Sequence, residues 1–394
     1  MKNLITILSF TLLFSCSQKA LSDPLAEVDF QYVRGHIIVE GSLEGSKNLK
    51  FIFDTGAMAA MIDQQVAEEI NLKVNSEQQV VGAGGQTITL KQSTANNLLI
   101  GGLEFQGNDF ILSDFSQFKA MGSIDDGVLG QQQINQYVVE IDYDSQKLRF
   151  YDPDSYNYTG DGEVIDIGLE IGIPSIDVTY VLNDGKEVRG RALIDTGAAM
   201  AANINTPTVE ENNLIEKTEK KIARKAFGGT GEFTIYEARI AGIKFGGLEF
   251  KQVPTSMSTL TSGPLSNPNY LGLIGNPIMR QFNIILDYNN SRMILEPNSN
   301  FGSPLPTNCS GLRYNFSFTD NNTIQLLEVY DNSPGSEIGM GSGDEIIEVN
   351  GKKVIDFTRD ELYDIFNYPG NSVEIIWKKD GREMKSTFVT RSLI

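Results

Sequence analysis

The pentapeptide Phe53-Asp54-Thr55-Gly56-Ala57 returns almost unchanged as Ile194-Asp195-Thr196-Gly197-Ala198. Each copy follows an apolar run, Phe51-Ile52-Phe53 or Ala192-Leu193-Ile194, and reads as a buried strand emptying into a tight loop. One Asp-Thr-Gly is ordinary turn chemistry. Two copies in matching surroundings are a duplicated feature. Downstream, Val128-Leu129-Gly130 ends 76 residues after Asp54, and Leu273-Ile274-Gly275 ends 80 residues after Asp195. Loops repeated in this way can bring two carboxylates face to face. A carboxylate pair sharing one proton can activate water against a peptide bond.

The flanking sequence repeats with the loops. Val81-Gly82-Ala83-Gly84-Gly85 precedes Thr87-Ile88-Thr89-Leu90, and Phe227-Gly228-Gly229-Thr230-Gly231 precedes Phe233-Thr234-Ile235-Tyr236. Ile100-Gly101-Gly102-Leu103-Glu104-Phe105 is mirrored by Phe245-Gly246-Gly247-Leu248-Glu249-Phe250, with the glycine pairs reading as hairpin turns. Tyr137 to Tyr143 matches Phe282 to Tyr288, and each continues through a polar turn into Lys147-Leu148-Arg149-Phe150 or Arg292-Met293-Ile294-Leu295. The period of 141 residues between Asp54 and Asp195 is too long for a solenoid unit and fits a duplicated β lobe. Short strands with frequent glycine turns predict a mainly β chain, with lobes at 28–155 and 156–297 and brief helices after Gly130 and Gly275.

The chain has 394 residues, 40% hydrophobic and 21% charged, a balance that suits folded domains rather than disorder. Its formal net charge of −19, with no basic stripe, argues against nucleic-acid binding. Residues 1–15 read as an export signal, with Lys2 ahead of an apolar stretch from Leu4 to Phe14. Leu12-Leu13-Phe14-Ser15-Cys16 resembles a bacterial lipobox, which makes Cys16 the lipidated residue and 16–27 a tether; ordinary cleavage with Cys16 incidental is the other reading. The expected location is the bacterial cell envelope, periplasmic or at the cell surface, with the membrane reached through lipid. The second cysteine, Cys309, then has no internal partner.

The paired Asp-Thr-Gly-Ala loops and apolar-Gly steps resemble the aspartic proteases, in the retropepsin-like style of bacterial members, over residues 28–297. That resemblance implies two homologous β-barrel lobes with a catalytic cleft between them, a polypeptide substrate, and no metal or cofactor. Retroviral relatives build the site by dimerising one lobe. Here both lobes lie in one chain, so a monomer would hold a complete site. Asp54 and Asp195 become the catalytic pair, one ionised and one protonated. Thr55 and Thr196 would cross-link the loops beneath them, while Gly56 and Gly197 let backbone approach the carboxylates. Gly130 and Gly275, behind their apolar pairs, would support the loops. Ala57 and Ala198 stand where pepsin-like relatives carry Ser or Thr. The missing hydroxyls predict a pH optimum moved from strongly acidic toward mildly acidic or neutral. Gly84, Gly85, Gly228 and Gly229 occupy flap positions in the repeat.

Residues 298–310 are rich in Pro, Ser and Asn and read as a linker. Residues 311–394 resemble a bacterial PDZ domain, an α/β unit, in Ser333-Pro334-Gly335-Ser336 and in Gly343-Asp344-Glu345-Ile346-Ile347-Glu348-Val349-Asn350-Gly351. The resemblance implies docking of a peptide ligand by strand addition beside Ile324–Val329, next to a helix at 359–367, with a carboxylate-binding loop near Gly311-Leu312-Arg313-Tyr314.

Other chemistries have little support. His36 is the only histidine, which disfavours His-based triads and His-rich metal sites. No phosphate-binding Gly-rich motif occurs. A glycosidase also uses two carboxylates, but its chemistry does not explain the repeated Thr-Gly-Ala. The expected function is an aspartic endopeptidase; the alternative is a catalytically inactive peptide-binding lipoprotein that retains the cleft.

Overall fold

The computed structural model describes residues 23–46, 48–81, 87–116, 119, 126–228, 231–319 and 322–394. The export signal, Cys16, Gly84, Gly85 and Gly229 lie outside the described residues. The chain is mainly β, and its strands form three sheets.

Both Asp-Thr-Gly segments enter the fold in the same way. Leu49–Phe53 runs parallel to Gly127–Leu129, with Phe53 opposite Leu129, and Gly127–Leu129 pairs antiparallel with Ala60–Asp63 on its other side. In the second repeat Glu187–Asp195 runs parallel to Tyr270–Gly275, with Ile194 opposite Ile274. Tyr270–Gly275 then pairs antiparallel with Ala202–Ile204. A distant strand is thus threaded between the strand entering each loop and the strand leaving it. These threaded strands are covered on both faces, so they are continuously apolar rather than alternating.

The repeats are stitched together by backbone. Val138–Asp142 pairs antiparallel with Phe282–Asp287, placing Val139 opposite Leu286 and Ile141 opposite Ile284. Each of these strands has its hairpin partner outside it, Lys147–Tyr151 or Arg292–Pro297, and Ala26–Val33 and Glu163–Asp166 continue the sheet on either side. The anticipated hairpin turns are present. Gly101 and Gly102 have φ of 60° and 83°, and Gly246 and Gly247 have φ of 49° and 70°, a conformation that side chains with a Cβ rarely adopt. The hairpin of Ile222–Gly228 and Gly231–Phe245 brings Gly228 opposite Gly231 at its far end.

The C-terminal unit is a separate sheet. Its order is Leu312–Phe318, Ile324–Val329, Glu345–Val349, Ser372–Lys379, Arg382–Val389, with Lys352–Lys353 beside the third strand. Its own core gathers Leu326, Ile346, Val349, Leu362, Phe366, Ile375 and Trp377. The helix Arg359–Asn367 starts on a reciprocal capping box between Thr358 and Glu361, and buries Leu362 and Phe366. One expectation is corrected here. Ile324–Val329 is an inner strand, paired with Leu312–Phe318 on one side and Glu345–Val349 on the other, so it offers no edge for strand addition. The outer strand on that side is Leu312–Phe318.

The stretch 298–310 is anchored at both ends. Asn298 Nδ2 donates to Arg280 O at 3.0 Å, and Cys309, fully buried and unpaired among the described residues, donates its N–H to Phe366 O at 2.9 Å.

Candidate active site

The two loops meet where the repeats face each other, and the threonines hold them in register. Thr55 Oγ1 donates to Ile194 O at 2.8 Å and accepts Thr196 N–H at 2.9 Å. Thr196 Oγ1 donates to Phe53 O at 2.9 Å and accepts Thr55 N–H at 3.1 Å. Each hydroxyl therefore uses a donor and an acceptor position across the junction, in a place closed to water (0% and 1% exposed).

Above this grip, each glycine lies against the opposite carboxylate. A Cβ on Gly56 would come within 2.6 Å of Asp195 Oδ2, and one on Gly197 within 2.5 Å of Asp54 Oδ1. Only hydrogen fits at either position. The freed space lets backbone donors reach the acids: Gly56 N–H and Ala57 N–H donate to Asp54 Oδ1 at 2.7 and 3.1 Å, and Gly197 N–H donates to Asp195 Oδ1 at 2.9 Å. Gly130 and Gly275 hold each loop from behind. A Cβ on Gly130 would stand 2.6 Å from Ala57 O, and one on Gly275 would overlap Met200 O. In their place Gln131 N–H donates to Ala57 O at 2.8 Å, and Asn276 N–H donates to Ala198 O at 2.9 Å.

Burial raises both acids above the ordinary carboxylate range. For Asp54 the rise is opposed by the Gly56 N–H and by a hydrogen bond from Asp195. For Asp195 it is reinforced by the negative charge of Asp54. Two negative charges so close in a buried site cannot both be held, so the pair shares one proton between its carboxylates. Such a pair can take a proton from water at one oxygen and give one to a carbonyl at another.

Sequence reasoning singled out the two Asp-Thr-Gly-Ala loops and the two supporting glycines, and all are gathered at this junction. It did not single out Gln131, Asn276 or Tyr143. The Gln131 amide donates to Thr55 O, and the Asn276 amide donates to Thr196 O at 2.8 Å. The signal was the residue after each apolar-Gly step, an amide in both repeats. Sequence reasoning also passed over His36 as a ligand-poor singleton. It sits one position beyond the Arg34–Gly35 turn, with Nδ1 buried and without a hydrogen bond among the described residues; burial and the Arg34 guanidinium push its imidazole down to about 4, against a smaller opposing pull from the Gly197 backbone, so it is neutral at pH 7. Among the described residues, no three His, Cys, Asp or Glu side chains converge as a metal site would require.

A cavity of about 320 Å³ adjoins the second loop. Ala199, Met200 and Arg34 line it on one side, and Tyr314 and Tyr363 of the C-terminal unit on the other.

Residues 39–132 match the family model for aspartyl protease. The matched stretch contains the first Asp-Thr-Gly-Ala loop and its supporting Gly130. It supports an aspartyl protease domain in the first repeat. No curated protein matches the chain.

Proposed function

We propose that this chain is an aspartic endopeptidase, exported and lipid-anchored to the bacterial cell envelope through Cys16, with a PDZ-like C-terminal unit that docks a peptide or partner. The two carboxylates, each against the opposite loop's glycine and locked by reciprocal threonine bonds between two repeats of one chain, carry the reading. Because both aspartates belong to one chain, a monomer suffices.

In the reaction, the ionised member of the Asp54–Asp195 pair takes a proton from water as the water oxygen attacks the peptide carbonyl carbon, while the protonated member gives its proton to the carbonyl oxygen. The tetrahedral adduct is neutral, and its carbon bears two hydroxyls. Collapse reforms the carbonyl as a carboxylic acid, breaks the C–N bond, and delivers a proton to the leaving amine from the acid that took it up from water. The hydroxyl proton released in collapse returns to the other acid, restoring the starting pair. No covalent intermediate forms. The reaction needs the carboxylates close and fixed, which is the task of Thr55, Thr196, Gly56 and Gly197.

The test is hydrolysis of an unfolded protein by wild type, Asp54→Asn and Asp195→Asn, with mass-spectrometric identification of cleavage and circular dichroism to verify folding. Turnover should disappear in both variants while the fold persists. Full activity in either variant refutes the mechanism. Peptide binding without any cleavage by wild type would favour the retained-cleft lipoprotein instead.

A further inference from the structure

The two catalytic loops are not held alike. In the first repeat the Gln131 amide reaches Thr55 O, and the same side chain faces Tyr288 of the second repeat with its Oε1 left without a hydrogen bond. In the second, Asn276 reaches out of it. One Nδ2 hydrogen goes to Thr196 O at 2.8 Å and the other to Gly35 O at 2.9 Å, in the turn between Ala26–Val33 and His36–Leu43 of the first repeat. Its Oδ1 accepts the Tyr143 hydroxyl at 2.6 Å, and its backbone N–H holds Ala198 O. Every polar group of that side chain is used, in full burial. Tyr143 is itself held edge-on by Phe30 and Tyr32, with ring centroids at 5.8 and 6.0 Å.

The Arg34–Gly35 turn is equally constrained. Both residues have positive φ, 50° and 88°, and a Cβ on Gly35 would stand 2.8 Å from Ala199 Cα. On its outer side, Arg34 N–H donates to Asp360 Oδ1 at 3.1 Å, in the first turn of the helix Arg359–Asn367. Arg280, in the residue after the short helix that Asn276 begins, lies over the Tyr32 ring at 4.7 Å. A continuous set of hydrogen bonds therefore runs from the C-terminal helix through the turn and Asn276 to the carbonyl of Thr196. The matching turn of the second repeat, between Glu163–Asp166 and Ser175–Val181, closes on itself through Gly168 N–H to Ser175 O and Ser175 N–H to Gly168 O, and among the described residues no hydrogen bond joins it to Gln131.

We infer that Asn276 is a positioning residue for the second catalytic loop, and that the C-terminal unit, by gripping the Arg34–Gly35 turn through Asp360, governs how firmly that loop is held. The inference rests on the proposed protease reading for its kinetic consequence, though not for its structural one. A shift of the turn away from Asn276 leaves a buried amide short of an acceptor, a penalty the Thr196 bond then shares. Any occupant that pulls the helix from the turn would lower turnover without touching substrate. Spatial continuity alone does not establish coupling; a measured interaction between the ends does.

The experiment uses the full chain with Asp360→Ala, Asn276→Ala, Tyr143→Phe and the Asp360→Ala/Asn276→Ala double variant. Hydrogen exchange is followed in peptides spanning 193–200, whose Thr196 and Gly197 amides are bonded to Thr55 Oγ1 and Asp195 Oδ1. Kinetics are measured on a peptide taken from the wild-type digest. Exchange in 193–200 should accelerate about tenfold in Asn276→Ala and about threefold in Asp360→Ala, with kcat falling by similar factors and KM within about twofold. The double variant should match Asn276→Ala, because the path is already cut. If Asn276→Ala does not fold, Tyr143→Phe, which removes one oxygen atom, takes its place with the same expectations. Wild-type exchange and kcat in Asp360→Ala, or multiplying effects in the double variant, would overturn the inference. If wild type cleaves nothing, the protease reading fails, while exchange still decides whether the C-terminal unit holds the loop.

Discussion

Replacing Thr196 with valine preserves shape and removes one hydroxyl from the junction between the repeats. That hydroxyl donates to Phe53 O and accepts Thr55 N–H, and both partners are buried where water cannot replace it. Leaving each unsatisfied costs about 1–3 kcal/mol, so Thr196→Val should destabilise the protein by about 2–6 kcal/mol. That is a large share of the 5–15 kcal/mol, roughly, that holds a typical folded domain together. Thr196→Ser keeps the oxygen and gives up a methyl group, at about 1 kcal/mol. Equilibrium urea unfolding followed by far-UV circular dichroism reads the difference. Trp377, the only tryptophan and buried in the core of the C-terminal unit, reports separately on that unit. Its fluorescence transition should move less than the dichroism transition. Thr55→Val should behave like Thr196→Val, and the pair should fall short of additivity because either one opens the same junction. A Thr196→Val protein within about 0.5 kcal/mol of wild type would refute the claim that these bonds clamp the loops.

Two further expectations concern protons. Ala57 N–H already lies 3.1 Å from Asp54 Oδ1, so Ala57→Ser places a hydroxyl beside the Asp54 carboxylate and should lower the acidic limb of the pH–rate profile by up to about one unit; an unchanged limb, or a wild-type optimum near pH 2, counts against the reasoning. His36 is held near 4 in the fold, while the unfolded chain binds a proton near the usual 6.5. Its contribution to stability is therefore complete above about pH 6.5 and is lost as pH falls toward 4, by at most about 3 kcal/mol. Thermal melts of His36→Gln between pH 4 and 7 should show a flatter acid decline than wild type. A parallel decline would remove His36 from the account.

The sequence displayed the loops because the reciprocal junction between the repeats uses the same residues twice. Asp54 and Asp195 share a phrase, a preceding apolar run and a following Gly at similar distance, and the threaded strands explain that distance. The glycine pairs at 101–102 and 246–247 were legible for a different reason, since positive φ at successive positions leaves few residue choices. Asn276 was not legible. An amide at the first position of a short helix looks like local chemistry, and its partner Gly35 lies 241 residues away. The position of the C-terminal helix against the Arg34 turn depends on side chains such as Asp360 that carry no periodic signature. The ligand edge failed for a related reason. Alternation in Ile324–Val329 identifies a strand but says nothing about which neighbours it will have.

The antiparallel joint between Val138–Asp142 and Phe282–Asp287 makes the halves inseparable partners of unequal character. Identical subunits meeting across an axis must present the same face twice, and any preference for which acid carries the proton has to arise by chance at each encounter. Once both halves are written into one polypeptide, that obligation ends. One loop could acquire a bond to a turn of the other repeat while its twin did not, as Asn276 and Gln131 now differ. The difference between the two loops is then inherited with the gene rather than arising anew in each assembly.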